Sequence, residues 1–170
     1  MRRSRRIRPR DLPHLAVRVV IEVARLFGGR YRRVEGAHLI VTDADGRILV
    51  VRTTYLGREW MLPGGRVERD ERPHDAAVRE TREETGIEAA VQRLVAIDVS
   101  DRDGVSFIYA ASPSGGELEP ELGEISEAGW VDRAEIADSG SRLHRLLSAI
   151  ESVGTPDGVA YLTGLGSRRA

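Results

Sequence analysis

Three features of the 170-residue chain predict an α/β fold: an α/β/α sandwich around a mixed sheet, with an additional basic helix at the N-terminus. Strand-like runs bounded by Asp-Gly turns occupy the first half of the body. One helix free of internal Gly and Pro sits in the middle, at residues 73–85. A second, amphipathic helix comes late, with Leu143, Leu146, Leu147 and Ile150 on one side. Strands followed by single helices bury a sheet from both faces. Three segments result: 1–33 as a basic arm and amphipathic helix, 34–152 as the main domain, and 153–170 as a flexible tail.

The first segment is set apart by charge. Residues 1–33 carry eleven Arg against Asp11 and Glu22, net +9, while fifteen Arg and twenty-five acids leave the remainder at −10. Leu12 to Phe27 has helical periodicity, broken by Arg18, Glu22 and Arg25. The apolar run is too short and too charged to span a bilayer, and the same charges make it a poor signal peptide. Packing on the domain or on a homodimer partner is the favoured role. Peripheral contact with an anionic membrane is the second reading. No stable nucleic-acid partner is expected, although Arg2, Arg3, Arg5 and Arg6 could touch phosphates. The chain is expected to be cytoplasmic.

Ala37 to Thr42 reads as a strand, Asp43 to Gly46 as a turn, and Arg47 to Arg52 as the returning strand of a hairpin. Thr53 to Glu59 is a loop. Pro73 suits the first helical turn, where its missing N–H costs nothing. Gly86 is placed to stop that helix in a left-handed conformation. Ala89 to Val99 is a bent strand, residues 101–104 a hairpin turn, and Val105 to Ala111 the next strand. Ser112 to Gly123 reads as a loop, Gly129 to Val131 as a short strand, Arg133 to Ala137 as a helical turn, and Ser141 to Glu151 as the late helix. Gly154 to Ala170 reads as poorly ordered.

Absences narrow the chemistry. The chain has no Cys, which excludes disulfides, a thiolate nucleophile and a Cys-based metal site. It has no Lys, which excludes a Walker-type phosphate lysine.

The densest signal is GRVERDERPHDAAVRETREETGI, residues 65–87. Gly65 is followed by Glu71, Arg79, Glu80, Glu83, Glu84 and Gly86 at fixed intervals. Residues three and four apart share a helix face, so Glu80, Glu83 and Glu84 project together and repel one another. Glu83 and Glu84 also sit in the last turn, where the helix dipole disfavours anions by about 0.3–1 kcal/mol each. A hard divalent cation would offset both penalties, because Mg²⁺ takes carboxylate oxygens and accepts phosphate oxygens as further ligands. The competing reading is a solvated acidic face. Seven positions filled at a typical usage of roughly one in fifteen coincide about once in 10⁸ starts, before the local richness in Glu and Arg is counted. Leu62-Pro63-Gly64-Gly65, with Trp60 two residues ahead, adds further agreement.

This stretch resembles the Nudix box, and residues 36–151 resemble a Nudix hydrolase domain. The resemblance implies the Nudix fold and a Mg²⁺ site, with Mn²⁺ as substitute, in which Glu80, Glu83 and Glu84 ligate the cation and Gly64 offers a backbone carbonyl. It implies that Glu71 and Arg79 form a buried pair bracing the loop against the helix, with Gly65 and Gly86 as structural members of the box. An acid outside the box completes such sites, and Glu124 and Glu127 are the candidates. Glu80 is the expected general base and Glu127 the reserve. Two positions depart from the pattern: Thr81 replaces an aliphatic residue and is expected to half-bury, and Asp70 replaces a Gly before Glu71.

The implied activity is hydrolysis of a nucleoside diphosphate linked to another moiety, such as a nucleotide-sugar, an ADP-ribose-like compound, a dinucleotide or a nucleoside triphosphate, releasing a nucleoside monophosphate. A small-molecule nucleotide is the expected partner. The rival is a Nudix-fold sensor that binds a nucleotide without cleaving it. An isopentenyl diphosphate isomerase would need a Cys that is absent, and a carboxylate-pair glycosidase suits the helical clustering less well. Arg52, Trp60 and Glu124 are the candidate substrate contacts, and Tyr55, Phe107 and Tyr109 could also stack on a base. No signature selects among the substrates.

Overall fold

The computed structural model describes residues 35–54, 59–100, 104–120, 123–139, 141–153 and 158–163. The basic arm and its helix lie outside them, as do Tyr55, residues 101–103 and 164–170.

Seven strands and three helices follow in order: β1 (Glu35–Val41), β2 (Ile48–Thr53), β3 (Gly64–Arg66), α1 (Pro73–Thr85), β4 (Ile87–Ser100), β5 (Gly104–Gly116), β6 (Ile125–Val131), α2 (Arg133–Asp138), α3 (Arg142–Val153) and β7 (Ala160–Thr163). Five strands make a mixed sheet in the order β3-β1-β5-β4-β7, and β2 pairs with β6 in a separate antiparallel ribbon. β1 runs parallel to β5 and β4 parallel to β7, while β1–β3 and β4–β5 are antiparallel.

The alternation along β1 sets up the layers. Ala37, Leu39 and Val41 face one way and join Ala76 and Ala77 of α1 in one core. Ile40 faces the other way, into a core with Ile136 of α2 and Leu143 and Leu147 of α3. β2 is buried on both sides, sending Ile48 and Val50 to the second core and Leu49 to the first. The expected α/β/α sandwich around a mixed sheet is therefore what the chain forms. Among the described residues, no helix is long and apolar enough to cross a membrane.

Four sequence expectations need correction. β1 and β2 do not form a hairpin ladder; they meet at the single bridge Thr42↔Ile48, and β2 leaves to pair with β6. The Asp43–Gly46 turn survives, because the Asp43 carboxylate accepts from Asp45 N and Arg47 N and binds the Arg47 guanidinium. Ser112 to Gly116 continue β5 rather than starting a loop. Pro113 is tolerated there because β1 stops pairing at Ala111, leaving only the β4 side bonded. The C-terminal segment holds a strand, β7, whose Ala160 and Leu162 are buried while Tyr161 and Thr163 are exposed, a period-two pattern short enough to escape notice. Finally, Thr81 is fully rather than half buried. Its hydroxyl donates to Ala77 O at 2.7 Å, and that of Thr85 donates to Thr81 O at 2.6 Å, so neither buries an unmet donor.

α1 begins at Pro73 after an extended Arg72, and ends where Gly86 (φ 76°) donates to Arg82 O. The loop feeding it turns at Asp70, which has φ 65°. Asp tolerates that left-handed conformation better than most residues, although a glycine meets it at no cost. Asp70 is exposed, so backbone strain decides substitutions there. Asp70→Val is expected to lower unfolding stability by about 1–2 kcal/mol, and Asp70→Gly to leave it unchanged or slightly higher. Denaturant midpoints of the three proteins check this; equal midpoints for Val and Gly would show the conformation is not enforced.

Candidate active site

β3 and α1 bring the box together. β3 lies beside β1 with His38 opposite Gly64 and Ala37 opposite Gly65. Gly64 has φ 138°, and a Cβ there would fall 2.3 Å from Ala37 O. A Cβ on Gly65 would fall 2.5 Å from the Glu80 carboxyl carbon, so the backbone of Gly65 forms the floor on which that carboxylate rests. Burial holds the His38 imidazole neutral, lowering its pKa to about 4.

Arg79 is the hub. Its Nε donates to Glu71 Oε1 at 3.0 Å and its Nη2 to Glu71 Oε2 at 3.1 Å, a two-pronged clasp. Nη1 donates to Glu80 Oε1 at 2.9 Å and Glu83 Oε2 at 3.1 Å, and Nη2 reaches Arg66 O at 3.2 Å. The bonds to Glu71, the larger cause, and to Glu80 hold the guanidinium far above its usual pKa, and the clasp with help from the Glu68 N–H holds Glu71 below its own. The pair was expected to be buried. Its side chains are 29% and 18% exposed, because it lies at the rim between loop and helix and not beneath them.

Glu84 differs from its neighbours. Its Oε2 accepts from Gly64 N at 2.8 Å, so the link between these two residues runs through the N–H. Burial raises its pKa to about 7, opposed by the Gly64 bond and reinforced by the charges of Glu80, Glu124 and Glu83. Four carboxylates thus share one field, and Glu124 joins the box acids from the turn before β6. Among the described residues, no three acids or histidines already converge on a common point. Arg79 draws Glu80 and Glu83, and Gly64 draws Glu84. An all-oxygen donor set with uncompensated negative charge fits a hard divalent cation, which would supply that charge.

Glu127 lies on β6 directly opposite Arg52 of β2. Arg52 Nη1 donates to Glu127 Oε2 at 2.6 Å, and the guanidinium lies 3.7 Å above the Trp60 ring. Trp60 is therefore no open stacking surface: Arg52 covers it, and it also packs against the second core. Phe107 is buried, and Tyr109 is partly buried beside His74, edge to face at 6.2 Å. The Arg52–Glu127 contact was missed because it depends on β2 pairing with β6.

A NUDIX domain model matches residues 32–149. A MutT-like protein of Streptomyces ambofaciens is 34% identical over 118 residues, covering 68% of this chain and 75% of its own. The human diphosphoinositol polyphosphate phosphohydrolase 2 is 33% identical over 69 residues, 40% of this chain and only 38% of that protein. Among solved structures, a UDP-X diphosphatase superposes with a TM-score of 0.61 at 20% identity, covering 86% of this chain and 74% of that one. A NUDIX hydrolase from Nitrosomonas europaea gives 0.64 at 20% identity, covering 79% and 80%. At that identity the two structures speak for the fold. The chain belongs to the Nudix family.

Two predictions follow from the geometry. Arg79→Ala is expected to lower the melting temperature by several degrees and to cut turnover, since it frees Glu71, Glu80 and Glu83 at once. Arg79→Lys should fall between, keeping charge but losing the fork. Thermal melts decide it, and an unchanged midpoint in the Ala variant would remove the bracing role. Glu84→Gln keeps an acceptor for Gly64 N while removing a half-buried charge. In metal-free buffer at neutral pH it should raise stability by about 1 kcal/mol. Glu83→Gln should gain less, being exposed and paired to Arg79, and exposed Glu88→Gln should be neutral. Equal melts for all three would defeat the shared-field picture.

Proposed function

We propose that this protein hydrolyses the diphosphate linkage of a nucleoside diphosphate joined to another moiety, using Mg²⁺ or, in its place, Mn²⁺. The observation carrying the reading is the field of Glu80, Glu83 and Glu124 around the half-buried Glu84 carboxylate, next to Gly64, whose backbone leaves no room for a Cβ, and Gly65, on which Glu80 rests. Glu80, Glu83 and Glu84, with the Gly64 carbonyl, would hold the cation. Bound there, it would offset diphosphate charge and make water more acidic. The protein's own part is mostly positional, as phosphoryl chemistry requires.

Glu80 rests on Gly65, restrained by Arg79, and is the residue we assign to accept the proton of the attacking water. Glu127 is the reserve base; its pairing with Arg52 argues against that role while the pair is intact. Glu124 is the further acid beyond the box, and its effect on Glu84 supports that assignment. Substrates of related proteins set the panel to test: UDP-X compounds, ADP-ribose, an 8-oxo-dGDP and a diphosphoinositol polyphosphate. A nucleoside triphosphate and a dinucleotide complete it.

Release of phosphate-bearing products from that panel should require Mg²⁺ or Mn²⁺ and vanish with excess EDTA. Glu80→Gln, Glu83→Gln and Glu84→Gln should each reduce turnover by roughly two or more orders of magnitude. Turnover that survives chelation would overturn the metal-dependent reading. A nucleotide that binds and is never cleaved would support the sensor instead.

A further inference from the structure

Arg79 cannot meet a substrate anion without giving up the site, because all three of its guanidinium nitrogens already donate to Glu71, Glu80, Glu83 or Arg66 O. Arg52 is differently placed. Among the described residues its side chain makes one hydrogen bond, Nη1 to Glu127 Oε2 at 2.6 Å, where arginine and carboxylate commonly make two. Its Nε is buried with no hydrogen-bond partner among the described residues. A buried donor left unmet is a standing cost, and the resting pair does not remove it. The Trp60 ring 3.7 Å below supports the guanidinium plane but binds none of its donors, so the group can shift over the ring without losing that contact. Glu127 is half exposed, and water can take over its carboxylate if the arginine leaves.

The position is also apt. Arg52 and Glu127 pair near the end of the β2–β6 ribbon, where the register shifts between Arg52 and Thr53. The next turn on the β6 side carries Glu124, whose backbone oxygen accepts from Thr54 N at 2.9 Å and whose charge acts on Glu84. A half-satisfied cation therefore borders the acidic field.

We propose that Arg52 is an anion-binding residue for the diphosphate, held in reserve by Glu127, and that the substrate takes the guanidinium from Glu127 as it binds. The exchange replaces a one-pronged contact by a fork on phosphate oxygens and leaves Glu127 to solvent. The proposal rests on the diphosphate substrate class given above. It makes Glu127 a competitor of the substrate, which neither a plain structural ion pair nor a ligand role for Glu127 would do.

The test is binding of inorganic pyrophosphate in Mg²⁺ buffer, measured by calorimetry on the full chain, with melts in parallel. Arg52→Gln should weaken binding about tenfold or more, and Arg52→Lys should weaken it less, keeping charge without the fork. Glu127→Gln should tighten binding by about three- to tenfold. In the double variant the Glu127 effect should disappear, because its competition acts through Arg52. Three results overturn the exchange: weaker or unchanged binding in Glu127→Gln, equal tightening with and without Arg52, or no detectable binding in both the native chain and Glu127→Gln. If Arg52→Gln does not fold, Arg52→Lys replaces it in the cycle. Binding with the expected signs but no hydrolysis of any panel compound defeats the hydrolase reading alone. Hydrolysis without tightening in Glu127→Gln defeats the exchange alone.

Discussion

Arg79 is the contact on which the rest of the site depends. One guanidinium clasps Glu71 from the loop, Glu80 and Glu83 from its own helix, and the carbonyl of Arg66 at the end of β3. Loop, helix and strand are thereby fixed to a single planar group. Its charge also holds two of the box acids apart from the third. Glu84 is left facing Gly64, with three carboxylates acting on it and the Gly64 N–H in partial compensation. The helix thus tolerates, at its C-terminal end, a concentration of anions that its dipole and its own geometry oppose.

Local rules fail most densely here. Asp70 stands in a left-handed conformation, the backbone around Gly64 leaves no room for a Cβ, and Glu83 and Glu84 occupy the wrong end of a helix. All of these lie between Gly64 and Glu84. The two hydrophobic cores, by contrast, follow period-two and helical patterning closely: Ala37, Leu39 and Val41 against α1, Ile40 and Ile108 against α2 and α3. Conflict concentrated in one segment, beside cores that follow their patterning, is what a functional site imposes.

The sequence made the box legible because its members lie on one loop and one helix, so spacing translates directly into a shared face. The helix limits, Pro73 and Gly86, were legible for the same reason. What escaped depends on partners distant in the chain. Arg52 and Glu127 are 75 residues apart, and their meeting requires β2 to abandon β1 for β6, a choice that alternation along β2 cannot reveal because both of its faces are buried. β7 is four residues long and separated from its helix by a polar stretch, so its two inward residues looked like tail. The reach of Arg79 to four acceptors was only half visible: the link to Glu71 came from the resemblance, and the i,i+4 spacing to Glu83 from the helix, but not the contact with Arg66 O.

The central claim is that the acidic field is completed by a divalent cation rather than solvated as an ordinary helix face. The direct measurement is the melting temperature of the full chain in EDTA, then in Mg²⁺ or Mn²⁺, against NaCl at matched ionic strength. A cation bound by the folded state alone must raise it, and by more with rising concentration. The account predicts a rise in Mg²⁺ and Mn²⁺ well beyond that in NaCl, lost when Glu84 becomes Gln. Identical melts in Mg²⁺ and in matched NaCl would contradict it.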